Sequence, residues 1–112
     1  MCDTVKMLRL DYDNQLKSDR SKLKKKRRST YKITHDELTG EKLKTNYEFS
    51  HIRSYSMFRE IANNIDNGLL VNKDIHRQIT ERGINNEDQL LKFCEEHGYK
   101  TDWYLPYKKL FP

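Results

Sequence analysis

Two histidines and an asparagine in the middle of the chain have the types and order needed for acid–base or metal chemistry. His51 and His76 are 25 residues apart, and Asn67, which precedes Gly68, lies nine residues before His76. A neutral imidazole accepts a proton near neutral pH, because its unperturbed pKa is about 6.5, and it also binds divalent metals. Each residue alone is more typical of an ordinary surface or turn position, so their order along the chain carries the interpretation.

The elements around these residues would position them close together. Residues 45–52 alternate as in a strand, with Tyr47, Phe49 and His51 on one face. Gly68–Val71 is a short apolar run of strand length. Residues 53–64 between the two runs favour a short helix followed by a polar break. A hairpin of the two strands would place His51 beside the start of the second strand.

Two helices are predicted after the second strand. Asn72 as N-cap, Asp74 in the first turn and Gly83 just beyond the end indicate a helix over residues 73–82. His76 then lies near its beginning. Asn86 and Gln89, three residues apart, resemble a capping box that begins another helix, which Gly98 ends.

Weaker patterns flank this centre. Residues 31–34 favour a short strand, and residues 35–41, with Thr39 and Gly40, favour a turn. The last segment, residues 99–112, is too apolar for a free tail. We expect it to pack on the domain or to contact a partner.

The ordered pieces resemble the HNH, or ββα-metal, nuclease family. The matching segments are Phe49-Ser50-His51-Ile52, Asn67-Gly68-Leu69-Leu70 and Asp74-Ile75-His76-Arg77, with Leu38-Thr39-Gly40-Glu41 as the turn that often precedes the first strand. The resemblance covers roughly residues 31–80, less than half of the chain. It implies an α+β fold with a ββα-metal hairpin-plus-helix core over residues 31–82. Residues 1–30 would form a basic N-terminal arm or extension, and residues 83–112 an added C-terminal helix and aromatic tail packing on the core.

The resemblance also implies roles for individual residues. His51 takes the place of the general base that activates water, and Asn67 that of the Asn that holds the loop and orients the base. His76 takes the place of a ligand to one divalent cation on the scissile phosphate. The implied reaction is the hydrolysis of a phosphodiester bond in DNA.

The chain departs from the family pattern at the metal site. Ser50 stands where the family commonly has a metal-binding Asp or His, and Thr80 stands where some relatives have a further His. The zinc-knuckle cysteines of many relatives are missing. We hypothesise that Glu48, on the same strand face as Ser50, supplies the carboxylate, and Asp36 in the preceding turn is the next candidate. So few ligands suit a water-rich Mg²⁺ or Mn²⁺ better than a structural Zn²⁺.

The positive charge is concentrated at one end of the chain. Residues 1–32 carry 11 Lys and Arg against 4 Asp and Glu, a net +7, whereas residues 33–112 carry 11 against 13, a net −2. This block favours a polyanionic partner, most simply nucleic acid and, by the resemblance, double-stranded DNA. A solvated helix end, a flexible arm or an affinity for acidic lipid would also fit. The candidate phosphate contacts are Lys22, Lys24, Lys25, Lys26, Arg27, Arg28, Arg53 and Arg77.

The length and composition of the chain limit its expected domain number and cellular location. The chain of 112 residues fits one small domain with an attached arm, and it has no apolar run of about 18 residues and no secretory pattern. Cys2 and Cys94 form neither a disulfide framework nor a metal knuckle, so we expect an intracellular, cytoplasmic setting such as phage or mobile-element nucleases occupy.

Three interpretations stay open at this point. The first is a metal-dependent HNH endonuclease. The second is a non-catalytic nucleic-acid-binding protein on a degenerate ββα-metal scaffold. The third is an interaction protein that uses the aromatic tail, residues 103–111, which is also a candidate homodimer interface.

Overall fold

The structure, a computed structural model, describes residues 20–112 and has an α+β fold. Helix α1 covers residues 20–31 of the described chain, and strand β1, Glu48–His51, follows a long turn. A short 3-10 helix, Arg59–Ile61, leads to strand β2, Gly68–Val71. Three helices complete the chain: α2 (Lys73–Glu81), α3 (Glu87–His97) and α4 (Tyr104–Leu110). The first 19 residues of the predicted basic arm, with Cys2, lie outside the described residues.

The two strands form an antiparallel hairpin whose register brings the candidate residues together. Glu48 pairs with Val71 and His51 pairs with Gly68, so His51 stands at the end of the hairpin beside Asn67. A Cβ atom on Gly68 would lie 2.2 Å from the ring of Phe49, a separation that atoms do not tolerate. Glycine is therefore required here, because the Phe49 ring occupies the space that a side chain at residue 68 would need.

Helices α2 and α3 begin and end close to the predicted positions. Asn86 caps α3 by accepting a hydrogen bond from the Gln89 amide at 3.0 Å, and Gly98 ends it in the left-handed conformation. The Asn72 side chain precedes α2 but does not cap it. Its Oδ1 accepts from the Lys44 amide instead, which ties the preceding turn to the helix.

The main core lies between the hairpin, α2, α3 and α4. Its buried members are Leu38, Ile52, Leu69, Val71, Ile75, Ile79, Leu90, Phe93, Cys94 and Tyr107. A second cluster joins α1 to the hairpin through Leu23, Leu43, Tyr47, Phe49 and Leu70. Within the described part of the chain, no helix has the length and apolar character needed to cross a bilayer.

Three local predictions differ from the structure. Residues 31–34 are not a strand, because α1 continues to residue 31 and Lys32 turns the chain with a φ of 52°. The helix predicted over residues 53–64 is reduced to the 3-10 turn Arg59–Ile61. The tail packs back on the core and contains the unpredicted helix α4, in which Tyr107 is buried. The homodimer interface predicted for the tail stays a prediction.

Candidate functional site

His51 and His76 line one open pocket between the end of the hairpin and helix α2. Its volume of about 440 Å³ is sufficient for a phosphodiester group with bound water. Arg20 from α1 and Arg59 from the 3-10 turn also line it, so two guanidinium groups accompany the two imidazoles. The hairpin register and the position of His76 one turn into α2 together create this arrangement.

The hydrogen bond of His51 selects the nitrogen that could act as a base. Nε2 lies 2.8 Å from the carbonyl oxygen of Ala62, and a carbonyl only accepts, so Nε2 carries the proton in the neutral ring. Nδ1 then has the free lone pair. Burial is the main cause that lowers the pKa of His51 below its ordinary value of 6.5, against the opposing effect of the Ala62 bond. The ring is therefore neutral and basic at physiological pH.

Asn67 holds the loop that follows His51 rather than the imidazole itself. Its side chain is fully buried; Oδ1 accepts from the Arg53 amide at 3.0 Å, and Nδ2 donates to the Arg53 carbonyl at the same distance. The backbone carbonyl of Asn67 also accepts from the Ile52 amide. These bonds join the two ends of the loop that carries Ala62, so Asn67 positions His51 through the backbone.

His76 and Glu48 are in direct contact. Nδ1 of His76 lies 2.6 Å from Oε2 of Glu48, and both side chains are partly exposed. An imidazole and a carboxylate this close could bind one hydrated Mg²⁺ or Mn²⁺ together, or Glu48 could fix the ring so that Nε2 binds the metal. Among residues 20–112, no group of three or more His, Cys, Asp and Glu is arranged to hold a metal. The donor set therefore fits a water-rich cation and does not fit a closed zinc site.

The structure gives Asp36 a structural role in place of the predicted one as a metal ligand. Asp36 is buried, and its Oδ1 accepts from the backbone amides of Leu38 and Thr39. Its Oδ2 accepts from the amide of Asn72 at 2.8 Å. Asp36 does not line the pocket of His51 and His76, so it is not placed to bind a metal there.

Several predicted phosphate contacts are engaged within the protein. The Arg27 guanidinium donates to both carboxylate oxygens of Glu37, at 2.7 and 2.9 Å. Arg53 binds Glu87 in the same bidentate way. Lys24 donates to the Tyr47 carbonyl at 3.1 Å, and the Arg28 guanidinium lies over the Tyr47 ring. These contacts correct the interpretation of Arg27 and Arg53 as nucleic-acid ligands, because their charges are already neutralised.

The remaining predicted contacts are exposed. They are Lys22, Lys25, Lys26 and Arg77.

The sequence interpretation missed Arg20 and Arg59 at the pocket. Arg20 is separated from the basic run by Ser21, and Arg59 is an isolated arginine in a loop. No spacing rule distinguishes such residues, because the contact depends on how α1 and the 3-10 turn fold toward the hairpin.

The chain was compared with protein-family models, with curated proteins and with solved structures, and no match was found.

Proposed function

We propose that this protein is a metal-dependent endonuclease that hydrolyses phosphodiester bonds, with double-stranded DNA as its substrate and an HNH-type site. The observation that carries the proposal is the shared pocket of His51 and His76. The family resemblance anticipates a base at the end of the first strand and a metal ligand near the start of the following helix. No other part of the described chain combines a neutral, partly buried imidazole with a second imidazole paired to a carboxylate.

Each residue has a defined task in the proposed hydrolysis. Nδ1 of His51 takes a proton from water, whose oxygen then attacks the phosphorus as the leaving oxygen departs. Glu48 and His76 would hold one Mg²⁺ or Mn²⁺, which when bound supplies positive charge at the phosphate and the leaving oxygen. Arg20 and Arg59 attract the phosphate to the pocket, and Asn67 keeps the loop in place.

Plasmid relaxation tests the assignment of the base. We expect wild-type protein with Mn²⁺ or Mg²⁺ to nick supercoiled plasmid, and His51→Ala to be slower by about 10²-fold or more, because a general base contributes at least this much. His35→Ala is the matched control, since the His35 side chain is exposed and forms a hydrogen bond with that of its neighbour Thr34, outside the pocket. Equal rates for wild type and His51→Ala would remove His51 from the mechanism.

Metal removal tests the second half of the site. We expect EDTA to abolish nicking and added Mn²⁺ to restore it. Binding of Mn²⁺ without nucleic acid, followed by electron paramagnetic resonance, should weaken in His76→Ala and not in His97→Ala. Unchanged Mn²⁺ binding in His76→Ala would contradict its role as a ligand.

A non-catalytic nucleic-acid-binding protein is the second candidate. The observation that favours it is that the described residues bring only two metal-binding side chains together, Glu48 and His76. Such a protein would bind plasmid with steep salt dependence and leave it supercoiled at every metal concentration. Nicking that is lost in His51→Ala would exclude it.

A further inference from the structure

We infer that a nucleic-acid backbone reaches the pocket along a basic groove that passes the beginning of helix α2, and not along the lysine-rich face of α1. This inference deepens the proposed function, on which it rests for its choice of substrate. We define the basic groove by its six cationic residues, which are Arg59, Arg20, Lys24, Lys73, Lys44 and Arg77.

The basic groove is continuous because neighbouring depressions share lining residues. The pocket of His51 and His76 meets a second depression at Arg20 and His76. The second depression meets a third at Asn46 and Lys73. A surface that links three adjoining depressions in this way can follow an extended polymer, whereas an isolated pocket fits one small group.

The basic groove carries a net positive charge. Six cations line it against two acids, Glu48 and Asp74. Four of the six come from residues 33–112, whose net charge is −2. The groove thus concentrates cations from a segment whose net charge is negative, and it ends at the two histidines. This arrangement is the one expected for phosphate binding.

The lysine-rich face of α1 points elsewhere. Arg20 and Lys24, one helical turn apart, line the groove, and Lys22 and Lys26 lie about 200° around the helix from them. Lys22, Lys25 and Lys26 are exposed. They give general attraction to a polyanion without directing it to His51 and His76.

Two variants of equal charge distinguish the surfaces. The groove variant carries Lys44→Ala, Lys73→Ala and Arg77→Ala, and the control carries Lys22→Ala, Lys25→Ala and Lys26→Ala. All six positions are exposed, so both proteins should keep the wild-type melting temperature. Each is made in a His51→Ala background and titrated in EDTA against a labelled duplex DNA, the same DNA single strand and the same RNA. Fluorescence anisotropy at several salt concentrations gives the slope of log Kd against log salt.

The groove variant should lose at least tenfold in affinity at moderate salt, and its salt slope should fall by about 2 to 3, because each lost phosphate contact removes about one unit. The control should change its slope by less than about one. The polymer with the largest groove-dependent loss is the substrate class. Equal losses in the two variants, or no loss in the groove variant, would overturn the inference. If binding depends on the groove but the wild-type protein does not nick plasmid, only the proposed nuclease activity is refuted. If the wild-type protein nicks plasmid but the groove variant and the control lose equal affinity, only the inferred groove is refuted.

Discussion

At the residue scale, His51 shows how a single hydrogen bond prepares a side chain for one task. The Ala62 carbonyl accepts a hydrogen bond from Nε2–H, and partial burial favours the neutral ring, so Nδ1 is available as an acceptor. The rings of Phe49 and Tyr55 pack edge-on against His51 and restrict its rotation. The sequence supplies the histidine, but the partner carbonyl lies 11 residues away in a loop without regular spacing.

The lowered pKa of His51 predicts the pH dependence of nicking. Protonation of Nδ1 removes the base, so the rate should rise with pH through a pKa below 6.5 and then level off near neutrality. The measurement is the nicking rate from acidic to neutral pH at saturating Mn²⁺. Repeating it at a second saturating Mn²⁺ concentration separates His51 from a metal ligand, because only ligand protonation shifts with the metal. A nicking rate that still rises with pH above 6.5 would contradict the lowered pKa of the partly buried His51 ring.

The contact between Glu48 and His76 predicts how the nicking rate depends on the Mn²⁺ concentration. Glu48→Gln keeps the shape of the side chain but removes the charge next to His76, so the Mn²⁺ concentration needed for half-maximal nicking should rise about 10- to 100-fold. The rate at saturating Mn²⁺ should change much less. Glu81→Gln, at an exposed position of α2, is the control. Wild-type Mn²⁺ dependence in Glu48→Gln would show that Glu48 neither binds nor orients the metal site.

At the element scale, local sequence patterns predict an element correctly where hydrogen bonds between nearby residues define its ends. They do not predict it where contacts with residues far along the chain define it. Helix α3 was predictable because Asn86 and Gly98 determine its ends within a few residues. The strand predicted over residues 31–34 failed because contacts of Arg27 with Glu37 and Ile65 hold α1 in place up to this point. Asp36 could not be interpreted from sequence, since its decisive partner is the Asn72 amide 36 residues away.

The contact between the loop after β1 and helix α3 gives a stability prediction. The Arg53 hydrogen bond is the main cause that lowers the pKa of Glu87 from 4.5 to about 2, and the Glu87 side chain is only 5% exposed. Glu87 therefore stabilises the fold above pH 4.5, and this contribution disappears as the pH falls through about 2. Glu87→Gln should lower the free energy of unfolding by about 2–3 kcal/mol at neutral pH.

Urea denaturation at neutral pH and at successively lower pH measures this effect. The difference in the free energy of unfolding between wild type and Glu87→Gln should become smaller as the pH falls below 4.5. Glu96→Gln is the control, because Glu96 pairs with Arg82 at the surface, where ion pairs contribute little. A difference that does not depend on pH would indicate a packing defect rather than the loss of the charge.

At the scale of the whole molecule, the C-terminal segment is part of the framework of the site. The hydroxyl of Tyr107 in α4 donates to Oδ1 of Asn67 at 2.7 Å, the same oxygen that accepts from the Arg53 amide. Arg53 also donates to the Phe111 carbonyl, and Lys108 contacts Glu87. Residues 83–112 thus support the loop that fixes His51, although no motif in the tail indicates a role in the site.

Removing the hydroxyl of Tyr107 tests this support. Burial raises the pKa of Tyr107, so its hydroxyl stays a donor at every pH at which the protein would be assayed. Tyr107→Phe should lower the free energy of unfolding by about 1–2 kcal/mol, because Asn67 loses one of its partners in the core. The nicking rate should fall more than in Tyr104→Phe, whose hydroxyl bonds to Asp88 away from Asn67. Equal stability and equal nicking in the two variants would show that the tail packs on the core without supporting the loop.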